Sequence, residues 1–299
     1  RDSLEHGAHV VVGTPGRIQD HLQRQTLDLT SVTTFVLDEA DRMLDMGFAE
    51  VMATITAVLP KNRQTLLLSA TFPDDIKKMS RAIQRQPIEV KVDTVLTHDE
   101  TVVEQLFFEI QKHERNTALL ALFEHYQPGN AMVFCNTKKQ CAEVAAFLQE
   151  HDIEAAAIHG DLDQRDRDQV LLQFTNNSCP VLVASDVAAR GLDIPALAMV
   201  VNFELPRDGD TYVHRIGRTG RAGETGQAFS LVTPSEAPRL RVIEDHLHIN
   251  CLCDVLESLN RNPNYQLQGD MATLQLDAGR KQKLRPGDIL GALTGDAGQ

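Results

Sequence analysis

No window of this 299-residue chain holds the roughly 18 consecutive apolar residues that a membrane-spanning helix requires, and no charged-then-apolar leader precedes a cleavage site. A soluble, unsecreted, cytoplasmic protein is the expectation. Cysteine is scarce and poorly placed for cross-linking. The five thiols, Cys135, Cys141, Cys179, Cys251 and Cys253, are odd in number and include no C-x-x-C pair. That excludes neither framework by itself, but it favours reduced thiols over disulfides or a zinc site. Positive charge is in deficit: 29 Lys and Arg against 42 Asp and Glu leave a net charge of −13. Affinity for a phosphate backbone comes from Lys and Arg, so any nucleic acid must be gripped locally rather than by the averaged field. Acid concentrates between Asp38 and Asp45, and base in two clusters, Arg215 with Arg218 and Arg221, and Arg280 to Arg285.

What the chain has is ordinary globular composition, 42% hydrophobic and 24% charged, and length for about two domains at roughly 150 residues each. Continuous apolar runs recur at His9–Val12, Thr34–Leu37, Thr65–Leu68, Ala131–Phe134, Val181–Ala184, Met199–Asn202 and Ala228–Val232. Unbroken rather than alternating runs belong to strands buried on both faces, hence to a parallel sheet covered by helices. Segments such as Asp74–Gln84 and Lys139–Glu150 supply helical spacing between them. The fold class is α/β, doubly wound. Strand-like Ile88–Val92 and Val103–Glu109 flank a polar stretch, so residues 1–92 and 103–259 are expected to be separate domains joined by a linker at 93–102. A second linker is expected at 260–270, where Asn, Pro, Gln and Gly cluster. Beyond it, Ala272–Asp277 reads as a strand and Asp288–Leu293, preceded by Pro286, as a helix, the start of a third, α+β domain over 271–299.

The chemistry centres on Val36-Leu37-Asp38-Glu39-Ala40-Asp41, two adjacent carboxylates just past a strand end, where open α/β sheets place ligands. In phosphoryl-transfer sites such an acid holds Mg²⁺ and its neighbour orients the attacking water, roles assigned to Asp38 and Glu39. Alone, the run could equally be acids favoured by a helix start. It has company. Thr14-Pro15-Gly16-Arg17 and Ser69-Ala70-Thr71 follow other strand-like runs. The second half offers Phe134-Cys135-Asn136-Thr137, His159-Gly160-Asp161 with Gln164 and Arg167, Ala189-Arg190-Gly191-Leu192-Asp193, and His214-Arg215-Ile216-Gly217-Arg218-Thr219-Gly220-Arg221. In the last of these, glycines let the backbone approach another surface while Arg218 and Arg221 present planar guanidinium forks suited to a γ-phosphate. An RNA-phosphate or salt-bridge role for Arg221 stays open.

In this order the segments resemble motifs Ib, II, III, IV, V and VI of the DEAD-box RNA helicases, over about Val10 to Thr233. The resemblance implies two RecA-like domains, an ATP cofactor with Mg²⁺, and RNA as partner, with no obligate protein partner evident. It implies nucleotide contacts from Asp38, Gly191, Asp193, Arg218 and Arg221. It implies coupling of hydrolysis to domain closure by Asp41, Ser69, Thr71 and His214. RNA contacts would come from Thr14, Gly16, Arg17, Thr137, His159, Gly160, Arg167, Ser185 and Arg190, groups that grip phosphate and sugar without reading sequence. Ser185 departs from the threonine common in the family but keeps the hydroxyl, and Thr137 could instead cap the following helix. Residues Met271 to Gly295 resemble the beginning of an RNA-recognition domain appended to a bacterial ribosome-assembly helicase of this family, which implies large-subunit ribosomal RNA as substrate class.

The 299 residues contain no G-x-x-x-x-G-K-[ST] phosphate cradle, no Q motif and no motif Ia, and they open at Arg1. The expectation is a piece of a longer helicase, against the alternative of an RNA clamp without ATPase activity. Double-stranded DNA translocases share the two-domain engine, but Asp41 and the HRIGRTGR run favour the RNA family. Without a cradle for the β- and γ-phosphates, these residues alone are expected to show no appreciable ATP hydrolysis. Measurable RNA-dependent phosphate release by the purified 299-residue chain would refute this.

Overall fold

The computed structural model describes the chain apart from residues 1–3, 5–6, 70, 92–102, 190–191, 193, 195–196, 221–224, 277 and 297–299. It divides into two compact units, Arg1–Asp93 and Thr94–Gln299. In the first, helix α1 (Pro15–Gln23) is followed by strand β1 (Thr34–Leu37), helices α2 (Ala40–Asp45) and α3 (Ala49–Val58), strand β2 (Gln64–Leu67) and helix α4 (Asp74–Ile83). β1 and β2 pair in parallel, Thr34 opposite Gln64 through Leu37 opposite Leu67. Leu29, Leu37, Met52, Ile55 and Leu59 form the core beneath them.

Three strand expectations fail here, for one physical reason. His9–Val12 and Ile88–Lys91 have strand-like composition but no ladder partner among the described residues, and Val10, Val12, Ile88 and Val90 are 79–93% exposed. The predicted strand of Ala272–Asp277 is likewise unpaired, its last residue lying outside the described set. Apolar composition makes a strand only where a neighbour accepts its backbone hydrogen bonds. Nor are β1 and β2 sealed on both faces, since Val36 is 51% and Leu66 43% exposed.

The second unit is a seven-stranded, wholly parallel sheet in the order β5-β6-β4-β7-β8-β3-β9, running Ala155–Ile158, Val181–Ser185, Ala131–Cys135, Met199–Asn202, Gly226–Val232, Val103–Glu109 and Cys253–Asp254. Residues of β4, β6 and β7 are buried almost without exception, as their unbroken apolar composition requires. Helices α5 (Arg115–Tyr126), α6 (Lys138–Gln149), α7 (Gln164–Thr175), α8 (Asp186–Ala189), α9 (Gly209–Ile216) and α10 (Ala237–Leu247) connect the strands, and a short helix, α11 (Pro286–Gly291), follows later. Three of them begin at a capping side chain: Thr137, Asp163 and Asp208 accept from the amides of Gln140, Asp166 and Thr211. Two apolar layers, one around Phe108, Leu119, Leu122, Val133 and Phe229 and one around Met132, Phe134, Leu182 and Ala184, lie in this unit.

The chain leaves β4 toward β5 on one side and β7 toward β8 on the other. Adjacent strands whose connections diverge open a crevice beyond their carboxyl ends. Here it measures about 450 Å³ and is lined by Asn136, Thr137, Asp186, Glu204, Arg207 and Asp208 among others.

The expected linker at 260–270 is not free. Leu267 bridges in parallel to Ile153 beside β5, is 8% exposed, and belongs to the larger core layer. An apolar anchor within a polar, Pro- and Gly-bearing stretch hides its docking from any periodicity argument.

Candidate functional site

In the first unit, parallel pairing brings the residues after β1 and β2 out at one edge. Asp38 follows β1 and accepts a 3.0 Å bond from the Glu39 amide through Oδ1. Glu39 is left-handed, at φ 51° and ψ 49°, a conformation that costs a non-glycine residue of order 1 kcal/mol and collects at functional positions. It turns the chain sharply so that Ala40 can donate to the Leu68 carbonyl at 3.0 Å and begin α2. The Glu39 carboxylate is half exposed and paired with Arg42 at 2.7 Å.

Asp41 is the structural centre of this edge. Its amide donates to Ser69 Oγ at 3.1 Å, while its Oδ2 accepts from Thr71 N at 2.9 Å and Thr71 Oγ1 at 3.0 Å. Oδ1 accepts from Arg42 N at 2.9 Å. Partial burial works to raise the Asp41 pKa, but the hydrogen bonds from Thr71, Arg42 and Ser69 to its ionised form outweigh it and hold the group below its ordinary value of 3.8. Asp41, Ser69 and Thr71, expected to act together, are therefore directly bonded.

Thr14, Gly16 and Arg17 are exposed on the first turn of α1. Thr14 holds the N-cap position yet makes no side-chain cap, Gly16 has open space around it, and Arg17 pairs with Asp20 at 2.9 Å. A helix start with an uncommitted hydroxyl and an adjacent guanidinium suits a phosphate.

In the second unit one member of the expected basic cluster is withdrawn into the core. Arg215 is 1% exposed. Its Nε and Nη2 grip the Asp186 carboxylate at 2.6 and 2.8 Å; Nη1 donates to Asn202 Oδ1 at 3.1 Å and Glu204 O at 2.7 Å. Nη2 also donates to Asn136 Oδ1 at 2.9 Å, and the guanidinium lies 5.1 Å from the centre of the Phe134 ring. One side chain thus ties together the carboxyl ends of β4, β6 and β7. The signal was available: Tyr212, Arg215 and Ile216 share the buried face of α9, whereas His214 is exposed.

Other expected contacts prove partly engaged within the unit. The Thr137 hydroxyl caps α6 through the Gln140 amide at 3.2 Å. Arg167 Nη2 donates to Ala188 O at 2.6 Å and so braces α8. Ser185 ends β6 opposite Cys135, Gly160 is exposed, and His159 has a buried Nδ1 with no hydrogen-bond partner. Arg218 Nη1 donates to Leu192 O at 3.1 Å. Arg190, Gly191, Asp193 and Arg221 lie outside the described residues.

Among the described residues no group of three or more His, Cys, Asp or Glu could enclose a metal ion. Asp38 nevertheless fits Mg²⁺, which is commonly held by one or two carboxylates with water and substrate phosphates rather than by an all-protein cage.

The sequence pattern of the DEAD/DEAH box helicases matches residues 1–79, and that of the helicase conserved C-terminal domain residues 114–223. The chain belongs to the DEAD-box RNA helicase family. It is 48% identical over 298 residues to the ATP-dependent RNA helicase DbpA of Escherichia coli K12, covering all of this chain and 64% of that protein. To the DEAD-box ATP-dependent RNA helicase CshA of Bacillus subtilis 168 it is 43% identical, covering 81% of this chain and 49% of that one. The chain thus spans about half to two thirds of these relatives' length. Among solved structures, Saccharomyces cerevisiae Dbp5 bound to RNA and ADP BeF3 matches with a TM-score of 0.75 at 32% identity, over 84% of this chain and 66% of that one.

Two outcomes are expected. Because its folded pKa is depressed, Asp41 stabilises the first unit at pH values above 3.8, and that contribution disappears as pH falls through the folded value. Thr71→Val should raise the Asp41 pKa in a carboxyl NMR titration and flatten the acid limb; an unmoved titration would count against the bonds described. Arg215→Met leaves the Asp186 carboxylate without its partner and should destabilise the second unit by about 3 kcal/mol in urea, with a smaller loss when Asp186→Asn is added. Strict additivity of the two changes would show that the pair does not interact.

Proposed function

We propose that the chain is the motor of an ATP-dependent RNA helicase that locally opens structured RNA, with large-subunit ribosomal RNA during ribosome assembly as its substrate class. The observation that carries the reading is the edge of the first unit, where Asp38 and Glu39 stand beside an Asp41 bonded to Ser69 and Thr71. The similarity to an ATP-dependent RNA helicase of E. coli, and to a yeast helicase bound to RNA and a nucleotide, supports it. The ribosomal assignment rests on the likeness of residues 271–295 to an RNA-recognition domain. In this reading residues 1–92 and 103–259 are the RecA-like domains, 93–102 links them, and 271–299 begins the third domain. The protein is taken to be monomeric and cytoplasmic; among the described residues no helix is long and apolar enough to cross a membrane.

When bound, ATP with Mg²⁺ supplies the γ-phosphoryl group and the charge neutralisation that its transfer needs. Asp38 would hold the metal through an oxygen or a bound water. Glu39 would orient a water at the phosphorus and accept its proton as the bond to the β-phosphate oxygen breaks, yielding ADP and phosphate. To do so it must exchange its Arg42 partner for that water. Arg218 and Arg221 would stabilise charge on the transferred group. Asp41, Ser69, Thr71 and His214 would pass the state of this site to the RNA grip of Thr14, Gly16, Arg17, Thr137, His159, Gly160, Arg167, Ser185 and Arg190. RNA spanning both domains would favour their closure by binding the closed state more tightly.

In a longer chain that includes a phosphate-binding loop, Glu39→Gln is expected to lower RNA-stimulated kcat by roughly 10²-fold or more while nucleotide affinity survives. Wild-type turnover in that variant would overturn the assignment.

A further inference from the structure

Arg42 lies one residue beyond the Asp38 to Asp41 run, a cation at the edge formed by Asp38, Glu39, Asp41, Ser69 and Thr71. It stands in the first turn of α2, where the aligned peptide groups favour acids and disfavour a cation. The helix therefore gives no reason for an arginine at this position. Its side chain is nevertheless only 20% exposed, and its Nη1 donates to Glu39 Oε2 at 2.7 Å. Glu39 is the carboxylate to which activation of the attacking water is assigned.

Both partners start from fixed backbone. Glu39 is held left-handed, its carbonyl accepting from Met43 N at 3.1 Å, and the Arg42 amide donates to Asp41 Oδ1 at 2.9 Å. Asp41 is in turn bonded to Thr71 across the two strand ends. With the backbone settled on both sides, pairing costs less freedom than it does for an ordinary surface pair. Its effect on the chemistry is direct. A carboxylate oxygen that faces a guanidinium cannot at the same time align a water and take its proton.

We propose that Arg42 is a positioning residue that holds Glu39 off the attacking water until RNA is bound, and so suppresses ATP hydrolysis in its absence. The inference rests on the RNA-helicase reading above and deepens it, because hydrolysis is then gated at the base as well as by domain closure. RNA releases Glu39 only to the extent that it binds more tightly to the state in which the pair is open. The Glu39 carboxylate is 53% exposed, so the pair is a modest restraint, worth a factor of about two to five in the basal rate.

The test measures ATP hydrolysis with and without saturating oligouridylate, in the longer chain that includes a phosphate-binding loop. Arg42→Met is expected to raise the RNA-independent kcat about two- to fivefold and leave kcat at saturating RNA unchanged, so that the stimulation by RNA falls by the same factor. Arg42→Lys keeps a cation within reach and should restore most of the suppression. A merely structural role would lower both rates together and would not be rescued in this pattern. A basal rate at or below the wild-type value in Arg42→Met overturns the proposal, as does an equal rise with and without RNA. Added to Glu39→Gln, Arg42→Met should change nothing further; a rise there would show that Arg42 acts on some other group. The pair itself is read in the 299-residue chain by NMR of the Arg42 guanidinium, whose rotation Glu39→Gln should speed, and unchanged rotation would refute the contact. If Glu39→Gln alone leaves RNA-stimulated turnover at the wild-type value, the failure belongs to the helicase reading and its assignment of Glu39.

Discussion

The pairing of Arg215 with Asp186 is the constraint on which the second unit's working edge depends. A parallel sheet delivers all its strand ends to one side but does nothing to fix the loops that leave them. Here one guanidinium, buried and over-supplied with acceptors, spans three of those ends and leaves none of them free to drift. An ion pair with one partner fully buried gains little net stability against an apolar replacement. What it gives is placement: Asn136 beside Thr137, α8 directly after Ser185, and the backbone at Glu204 are all referred to a single group. Arg167 braces the same short helix from the other side through the Ala188 carbonyl.

The first unit solves the same problem with neutral groups and one carboxylate. Asp41 uses its amide and both carboxylate oxygens on Ser69, Thr71 and Arg42, which locks the residues after β2 against those after β1. The left-handed Glu39 is the price of that closeness, since the chain must turn at once after Asp38 to begin α2. The two carboxylates assigned to chemistry thus precede a third that is wholly engaged in joining the two strand ends.

Much of this was legible in sequence, and the limits have physical causes. Ala131–Cys135, Val181–Ser185 and Met199–Asn202 announce themselves because a strand buried on both faces needs an unbroken apolar run. Ala155–Ile158 does not, because three alanines carry no strand preference and the strand is made by its neighbour β6. His9–Val12 has the right composition and no partner among the described residues. The grouping of Asp41, Ser69 and Thr71 followed from family resemblance and is bonded as a group. Arg215 was misread because charge in a sequence is taken as surface until helical spacing places it beside Tyr212 and Ile216. The docking of Leu267 within the stretch 260–270, read as a linker, was not visible because a single apolar anchor leaves no period to detect.

The described cores of the two units differ greatly in size, and that asymmetry sets how these 299 residues come apart. Seven buried apolar residues are described in the first unit, five of them in one cluster, whereas the second is built on several extensive apolar layers. The chain is therefore not one cooperative object, and no single melting temperature describes it. Mild heat or denaturant would dismantle the half that carries Asp38 and Glu39 while most of the helix and sheet signal persists. A preparation of these residues could then look folded by bulk spectroscopy and already have lost the edge that carries Asp38, Glu39 and Asp41.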